Sequence, residues 1–266
     1  MTGSSKGSVA LLPFRRTCAA VLGYGLLAAG TPATAHAGAT AAAPGSAPPQ
    51  VVFILPGQSV GTVPYLLMEA ALEKSGYDAR ILDLDGTDVR ADARVLARSV
   101  DRVTAEHPGA TVSLVGHSAG GMSARSYLTS HHGSTTVANY VAIGSPQYGS
   151  PSACLQGGTA ADLCPGSAFL TDLNEGDDTP GSTRYVSIRS SREWADGRLD
   201  GGQCRGTPIE PPSPLLNGGF HHSVEPVQPE VITAVATALS GHCAGEYVDE
   251  PDGAIRARDT IFRDGL

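Results

Sequence analysis

A chain of 266 residues with 26 acidic and 18 basic side chains carries a formal charge of −8. That balance provides no basic stripe for a phosphate backbone, which excludes nucleic acid as a partner; it reads first as solubility. The length holds one large domain or two small ones.

Residues 1–17 contain Lys6, Arg15 and Arg16 and no acid, Cys18–Gly30 is apolar and small, and Ala35-His36-Ala37 has the spelling of an A-x-A cleavage site. Residues 1–37 are therefore expected to be a secretory signal peptide. The apolar run falls short of the ~20 residues that span a bilayer. The neighbours of Arg15-Arg16 suit a twin-arginine signal poorly, which favours the general secretory route. Cleavage would remove three bases and no acid, leaving a charge of −11. Residues 38–49, rich in Ala, Pro and Gly, read as a flexible leader. The folded domain is expected over residues 50–243. Residues 244–266 alternate charges without an apolar face and read as a loosely held tail.

Gln50–Leu55 is apolar on both faces, as a strand buried in a parallel sheet would be. After Pro56-Gly57 a helix is expected over Val63–Lys74, with Pro64 in its first turn and a stripe of Tyr65, Leu66, Met68, Ala71 and Leu72. Tyr77–Asp83 is the next strand. Asp85, Thr87 and Asp88 offer caps for a helix running to Glu106, with Val89, Leu96, Val100 and Val103 on one face and arginines on the solvated side. Thr111–Val115 is a strand, followed by a helix over Ala119–Ser130 with Met122, Tyr127 and Leu128 as core contacts. Val137–Ile143 is another strand. Residues 148–183 are polar and Gly/Ser/Pro-rich, with one short helix near Ser167–Leu173. A connection that long is a functional loop or an excursion of the fold, and this one is a candidate lid. Arg184–Arg189 is a strand, residues 190–219 are loop-like, and a last helix follows Pro229. Alternating strands and helices imply an α/β chain, a mostly parallel sheet with helices on both faces. Its ligand site belongs at the carboxyl ends of the strands.

One such end carries Gly116-His117-Ser118-Ala119-Gly120, the G-x-S-x-G nucleophile elbow. The turn from strand to helix is tight enough that side chains two positions either side of the serine would collide, so glycine flanks it. Gly57-Gln58-Ser59-Val60-Gly61 also matches, but Gly61 and Pro64 keep it in a loop, and Ser59 reads as an ordinary loop serine.

A serine hydroxyl needs a base, and the base needs an orienting acid; in this arrangement the chain order is Ser, acid, His. His36 leaves with the signal. His107, His131 and His132 sit at helix ends, His242 follows the last helix, and His117 points away from Ser118 within the elbow. His221 and His222 remain, on a loop before the last helix, and His222 is chosen. The acid is sought in the loop after RYVSIRS. Asp196, in an Asp-Gly turn, is chosen; Glu193 is the close competitor and Asp200 stands behind both. The oxyanion of the tetrahedral intermediate should meet the backbone N–H groups of Ala119 and Gln58. This chemistry needs no cofactor, and none is expected.

Four cysteines remain after the signal: Cys154, Cys164, Cys204 and Cys243. In an exported chain they point to two disulfides, with Cys154–Cys164 and Cys204–Cys243 favoured among three pairings. No C-x-x-C spacing supports a zinc site.

Over Val51 to Leu239 the chain resembles the small secreted bacterial lipases, lipase class 2, which are minimal α/β-hydrolases. The resemblance is carried by VVFILPG, VSLVGHSAGG, VANYVAIGSP, RYVSIRS and GGFHHSV. It implies an α/β-hydrolase fold, Ser118 as nucleophile, His222 as base and Gln58 and Ala119 at the oxyanion positions. Ungapped spacing puts the family acid at Glu193; the Asp-Gly turn and the later cysteine put it at Asp196. Family members usually have His-Gly where this chain has Pro56-Gly57. The implied activity is hydrolysis of carboxylic esters, with a small-molecule or lipid ester as partner, transient contact with a lipid interface, and a monomeric enzyme. Acyl transfer on the same residues and a non-catalytic binding protein on this scaffold are the alternatives.

Overall fold

The computed structural model describes residues 47–192, 197–211, 213 and 219–255. The expected signal peptide, most of the leader, and both Glu193 and Asp196 fall outside them. Among the described residues no helix is long and apolar enough to cross a membrane.

The strands are β1 (Gln50–Leu55), β2 (Asp78–Ile81), β3 (Thr111–His117), β4 (Val137–Ile143), β5 (Arg184–Ile188), β6 (Gln203–Gly206) and β7 (Gly245–Val248). They form one seven-stranded sheet in the order β2-β1-β3-β4-β5-β6-β7. All pairings are parallel except β6 with β7. The helices are α1 (Leu66–Lys74), α2 (Val89–Glu106), α3 (Ala119–Ser130), α4 (Ala168–Leu173), α5 (Gly219–Val224) and α6 (Pro229–Leu239). This is the α/β-hydrolase fold.

Alternation along the strands divides the core between the two faces. Val51, Phe53 and Leu55 turn towards α2 and α3, where Leu96, Val100, Val103 and Leu128 meet them. Val52 and Ile54 turn towards α1 and α6 and pack with Met68, Leu72, Val231, Val235 and Leu239. Asp88 caps α2 as expected, its carboxylate accepting from the Ala91 N–H at 2.8 Å.

Three expectations are corrected. The helix at 63–74 opens as a 3₁₀ turn over Val63–Tyr65 before α1. The buried stripe is therefore Tyr65, Met68 and Leu72, and Leu66 is half exposed. The stretch 190–219 contains β6, whose sequence QCRG has no apolar alternation to announce it. Backbone pairing with β5 and the Cys204–Cys243 disulfide hold it in place. In the described part of the expected tail, β7 closes the sheet edge. There Ile255 is buried, and the N–H groups of Gly253 and Ile255 donate to the Asp200 carboxylate.

The connection from β4 to β5 folds down over the amino end of α3. Ala153, Leu163, Phe169, Leu170 and Leu173 pack on Ala119 and Met122, and Cys154–Cys164 closes its first loop. Arg125, fully buried in α3, anchors it by donating to Asn174 Oδ1 at 2.6 Å and to the Leu173 carbonyl at 2.9 Å. Buried Asp178 accepts from the N–H groups of Asp200 and Gly201. The segment considered as a lid is packed on α3 here.

Candidate active site

Ser118 joins β3 to α3 with φ +55° and ψ −125°, a backbone region that L side chains rarely occupy. Its neighbours explain the glycines. A Cβ at Gly116 would lie 2.4 Å from the Gly121 Cα, and one at Gly120 would lie 2.2 Å from the Leu55 carbonyl oxygen. A Cβ at Gly57 would come within 3.1 Å of the Ser118 Cβ. The elbow is therefore a close approach of β1, β3 and α3 that no larger residue permits. Ser59 also has positive φ (+54°), but it is exposed in a turn that leads to a 3₁₀ segment, with no helix at its back.

Ser118 opens into a cavity of about 190 Å³ that is also lined by Ala119, Gln58, His222, Pro146 and Leu163. The Ala119 N–H is the first of α3, so no partner within the helix awaits it. The Gln58 backbone is fixed from behind by Gly86. A Cβ on Gly86 would lie 2.6 Å from the Gln58 Cα, and the Gly86 N–H donates to buried Asp92 at 2.9 Å. The Gln58 side chain turns instead to Gln156, donating to its Oε1 at 2.6 Å. A larger cavity of about 870 Å³ beside β5–β7 is lined by arginines and contains no histidine.

His222 was expected on a loop; it lies in α5, a helix too short for apolar periodicity to reveal. The adjacent histidines part company. His221 is 1% exposed and its Nε2 accepts from the Gln228 amide at 2.8 Å, whereas His222 borders the cavity with Ser118.

His117 does keep its ring nitrogens off the serine, although the ring borders the same cavity. Its Nε2 lies 3.0 Å from the His222 carbonyl oxygen, an acceptor only, so Nε2 carries the proton. Nδ1 then accepts from the Tyr65 hydroxyl at 2.7 Å, and the Tyr65 oxygen accepts the Gly57 N–H at 2.8 Å. Burial first, and the nearby His222 second, hold the His117 imidazole down to about 3, so it stays neutral. One polar chain thus links the Gly57 loop, the elbow and the His222 backbone.

Among the described residues, one carboxylate near His222 was not anticipated from the sequence. Glu225 is fully buried; its Oε2 lies 3.4 Å from His222 Nδ1 and its Oε1 accepts the Ser190 N–H at 3.1 Å. The signal was present as H-x-x-E, a spacing that puts both side chains on one helical face. Asp200 is not at this site: its carboxylate is taken up by the Gly253 and Ile255 N–H groups. Asp196 and Glu193 lie outside the described residues. The ligand atoms of His117, His222 and Glu225 come within 4.8 Å of one another. Both His117 nitrogens are committed, however, which leaves two candidate donors there among the described residues.

No protein-family model matches this chain, and no curated protein matches it in sequence. Solved structures of similar fold include the propeptide form of the Bacillus licheniformis lipase BlEst2, at 18% identity and a TM-score of 0.59 over 81% of this chain and 54% of that one. Aspergillus fumigatus lipase B is similar at 16% identity and a TM-score of 0.56, over 81% of this chain and 57% of that one. The metagenomic carboxyl esterase MGS0156 is similar at 17% identity and a TM-score of 0.51, over 73% and 76%. The chain spans little more than half the length of the two lipases.

Proposed function

We propose that this chain is a secreted serine hydrolase, a lipase or esterase of the class 2 type, that cleaves carboxylic esters through an acyl-enzyme on Ser118. One observation carries the reading: a serine on a strained turn at the carboxyl end of a central strand shares a small cavity with an imidazole from the segment before the last helix. As Oγ attacks the ester carbonyl, His222 Nε2 takes its proton. The oxyanion is met by the N–H groups of Ala119 and Gln58. His222 then gives the proton to the leaving alcohol. A water molecule repeats the sequence, releasing the carboxylic acid and restoring Ser118.

The cavity of about 190 Å³ is smaller than the ~300–1,000 Å³ of drug-sized ligand sites, which supports a short acyl group. Exposed Leu155 adjoins Gln156, the partner of Gln58, and exposed Val63, Leu66 and Leu67 follow the Gln58 loop. These apolar side chains support transient contact with a lipid interface. The two disulfides and the signal-like residues 1–37 support secretion.

Ser118→Ala should lower ester hydrolysis by more than ~10³-fold; a loss below tenfold would sink the reading. In a p-nitrophenyl ester series, acetate and butyrate should outrun palmitate. Added alcohol acceptors separate hydrolysis from acyl transfer by product analysis.

A further inference from the structure

We infer that the side-chain bridge between Gln58 and Gln156 limits the length of the acyl group that the cavity accepts, which makes Gln156 a specificity-determining residue. The inference rests on the ester-hydrolase reading above and adds which esters that site takes.

Gln58 and Gln156 stand 98 positions apart, one on the loop after β1 and the other on the connection from β4 to β5. Both line the cavity that holds Ser118. Gln58 Nε2 donates to Gln156 Oε1 at 2.6 Å, so the two loops meet through these side chains in the cavity wall. Each residue is partly exposed, which puts the bridge between the cavity and solvent.

The backbone beneath each end is fixed. Gln58 is backed by Gly86, where a Cβ would lie 2.6 Å from the Gln58 Cα. The Gln156 N–H donates to the Ala153 carbonyl at 3.0 Å, at the end of the 3₁₀ turn Pro151–Leu155. Ala153 and Leu163 are buried against Ala119 and Met122 of α3, and Cys154–Cys164 closes the loop that carries Gln156. The side chains are the part left to move, and a change of rotamer opens the bridge without shifting either loop.

The leaving alcohol lies beside His222, which protonates it. The acyl group is therefore directed to the part of the cavity lined by Ala153, Gln156 and Leu163. An acyl chain short enough for about 190 Å³ leaves the bridge intact. A longer one must part the two amides, and an alkyl chain offers neither of them a hydrogen bond in return. Where the wall opens freely, each further methylene buried is worth roughly fourfold in kcat/KM. Two methylenes gained at that rate give roughly 15-fold.

The test measures kcat/KM for p-nitrophenyl acetate, butyrate, hexanoate and octanoate, at concentrations where all stay dissolved. Gln156→Ala should raise the octanoate-to-acetate ratio by ~15-fold, with acetate hydrolysis within about threefold of wild type. Gln156→Leu keeps the bulk but cannot accept the Gln58 amide, and it should raise the ratio in the same direction. Gln156→Glu keeps an oxygen for Gln58 Nε2 and should hold the wild-type ratio. A ratio unchanged in both Gln156→Ala and Gln156→Leu overturns the inference. A ratio raised by Ala and untouched by Leu overturns it as well, because bulk and not the bridge would then set the limit. So does a wild type that prefers octanoate. Loss of acetate hydrolysis in Ala and Leu alike would also overturn it, since Gln156 would then serve the reaction and not the choice of chain. Failure of the wild type to cleave any of these esters, or to be labelled on Ser118 by a fluorophosphonate, is a different result: it would fault the hydrolase reading itself.

Discussion

The Ser118 side and the His222 side of the cavity are held by different forces. Ser118, Ala119 and Gln58 owe their positions to backbone packed so tightly that Gly86, Gly116 and Gly120 cannot carry a side chain. His222 and Glu225 owe theirs to hydrogen bonds from distant residues, the His117 ring and the Ser190 N–H. Steric constraint within a few residues leaves a local signature, whereas a polar network spanning a hundred residues leaves almost none. His117 is the joint between the two regions, because it belongs to the elbow and grips the His222 backbone.

The comparison is broken most severely at Gly116. Gly116→Ala would drive a Cβ into the Gly121 backbone, and a loss of ~3 kcal/mol or more is expected by thermal or denaturant unfolding. Ser118→Gly tests the same side with the opposite sign. It should abolish esterase activity yet raise stability by ~1 kcal/mol, because φ +55° costs glycine nothing.

At the joint, the neutral imidazole makes stability depend on pH. The native His117 titrates near 3 and an unfolded histidine near 6.5. Between those values the unfolded chain binds a proton that the native chain refuses. Stability is therefore fully present above about pH 6.5 and falls as the pH drops towards 3, by at most ~1.4 kcal/mol per pH unit. Urea unfolding from pH 7 to 4 should show a slope flatter by about that amount in His117→Asn than in wild type. An equal slope would mean that His117 is protonated in the native chain or solvated.

Tyr65→Phe removes the hydroxyl that donates to His117 and accepts from Gly57. It should cost ~1–3 kcal/mol by leaving both partners unsatisfied, and activity should fall less than for any change at Ser118 or His222. The smallest effect is expected at the rim. Leu155, 91% exposed, should tolerate Ala within about 0.5 kcal/mol. Leu155→Ala should nevertheless slow hydrolysis of emulsified esters more than of dissolved ones; equal slowing would remove the interface role.

The same contrast explains what could be read from the residues alone. β1, β3 and β4 are mostly apolar strands, and the elbow sequence follows β3, so this half of the fold was legible. The pairing of both disulfides was also anticipated. β6 and β7 were not, because an edge built from QCRG and GEYV is specified by neighbouring backbone and a disulfide instead of by apolar pattern. The placement of Glu225 was not legible for a related reason: only folding turns a carboxylate downstream of His222 back to the Ser190 N–H.

The most direct test of the central claim is a fluorophosphonate reaction followed by peptide mass spectrometry. The account expects one adduct, on Ser118, formed by the wild-type protein and sharply slowed by His222→Gln. A protein left unlabelled under conditions that label a control serine hydrolase, or an adduct on Ser59 in place of Ser118, would contradict it.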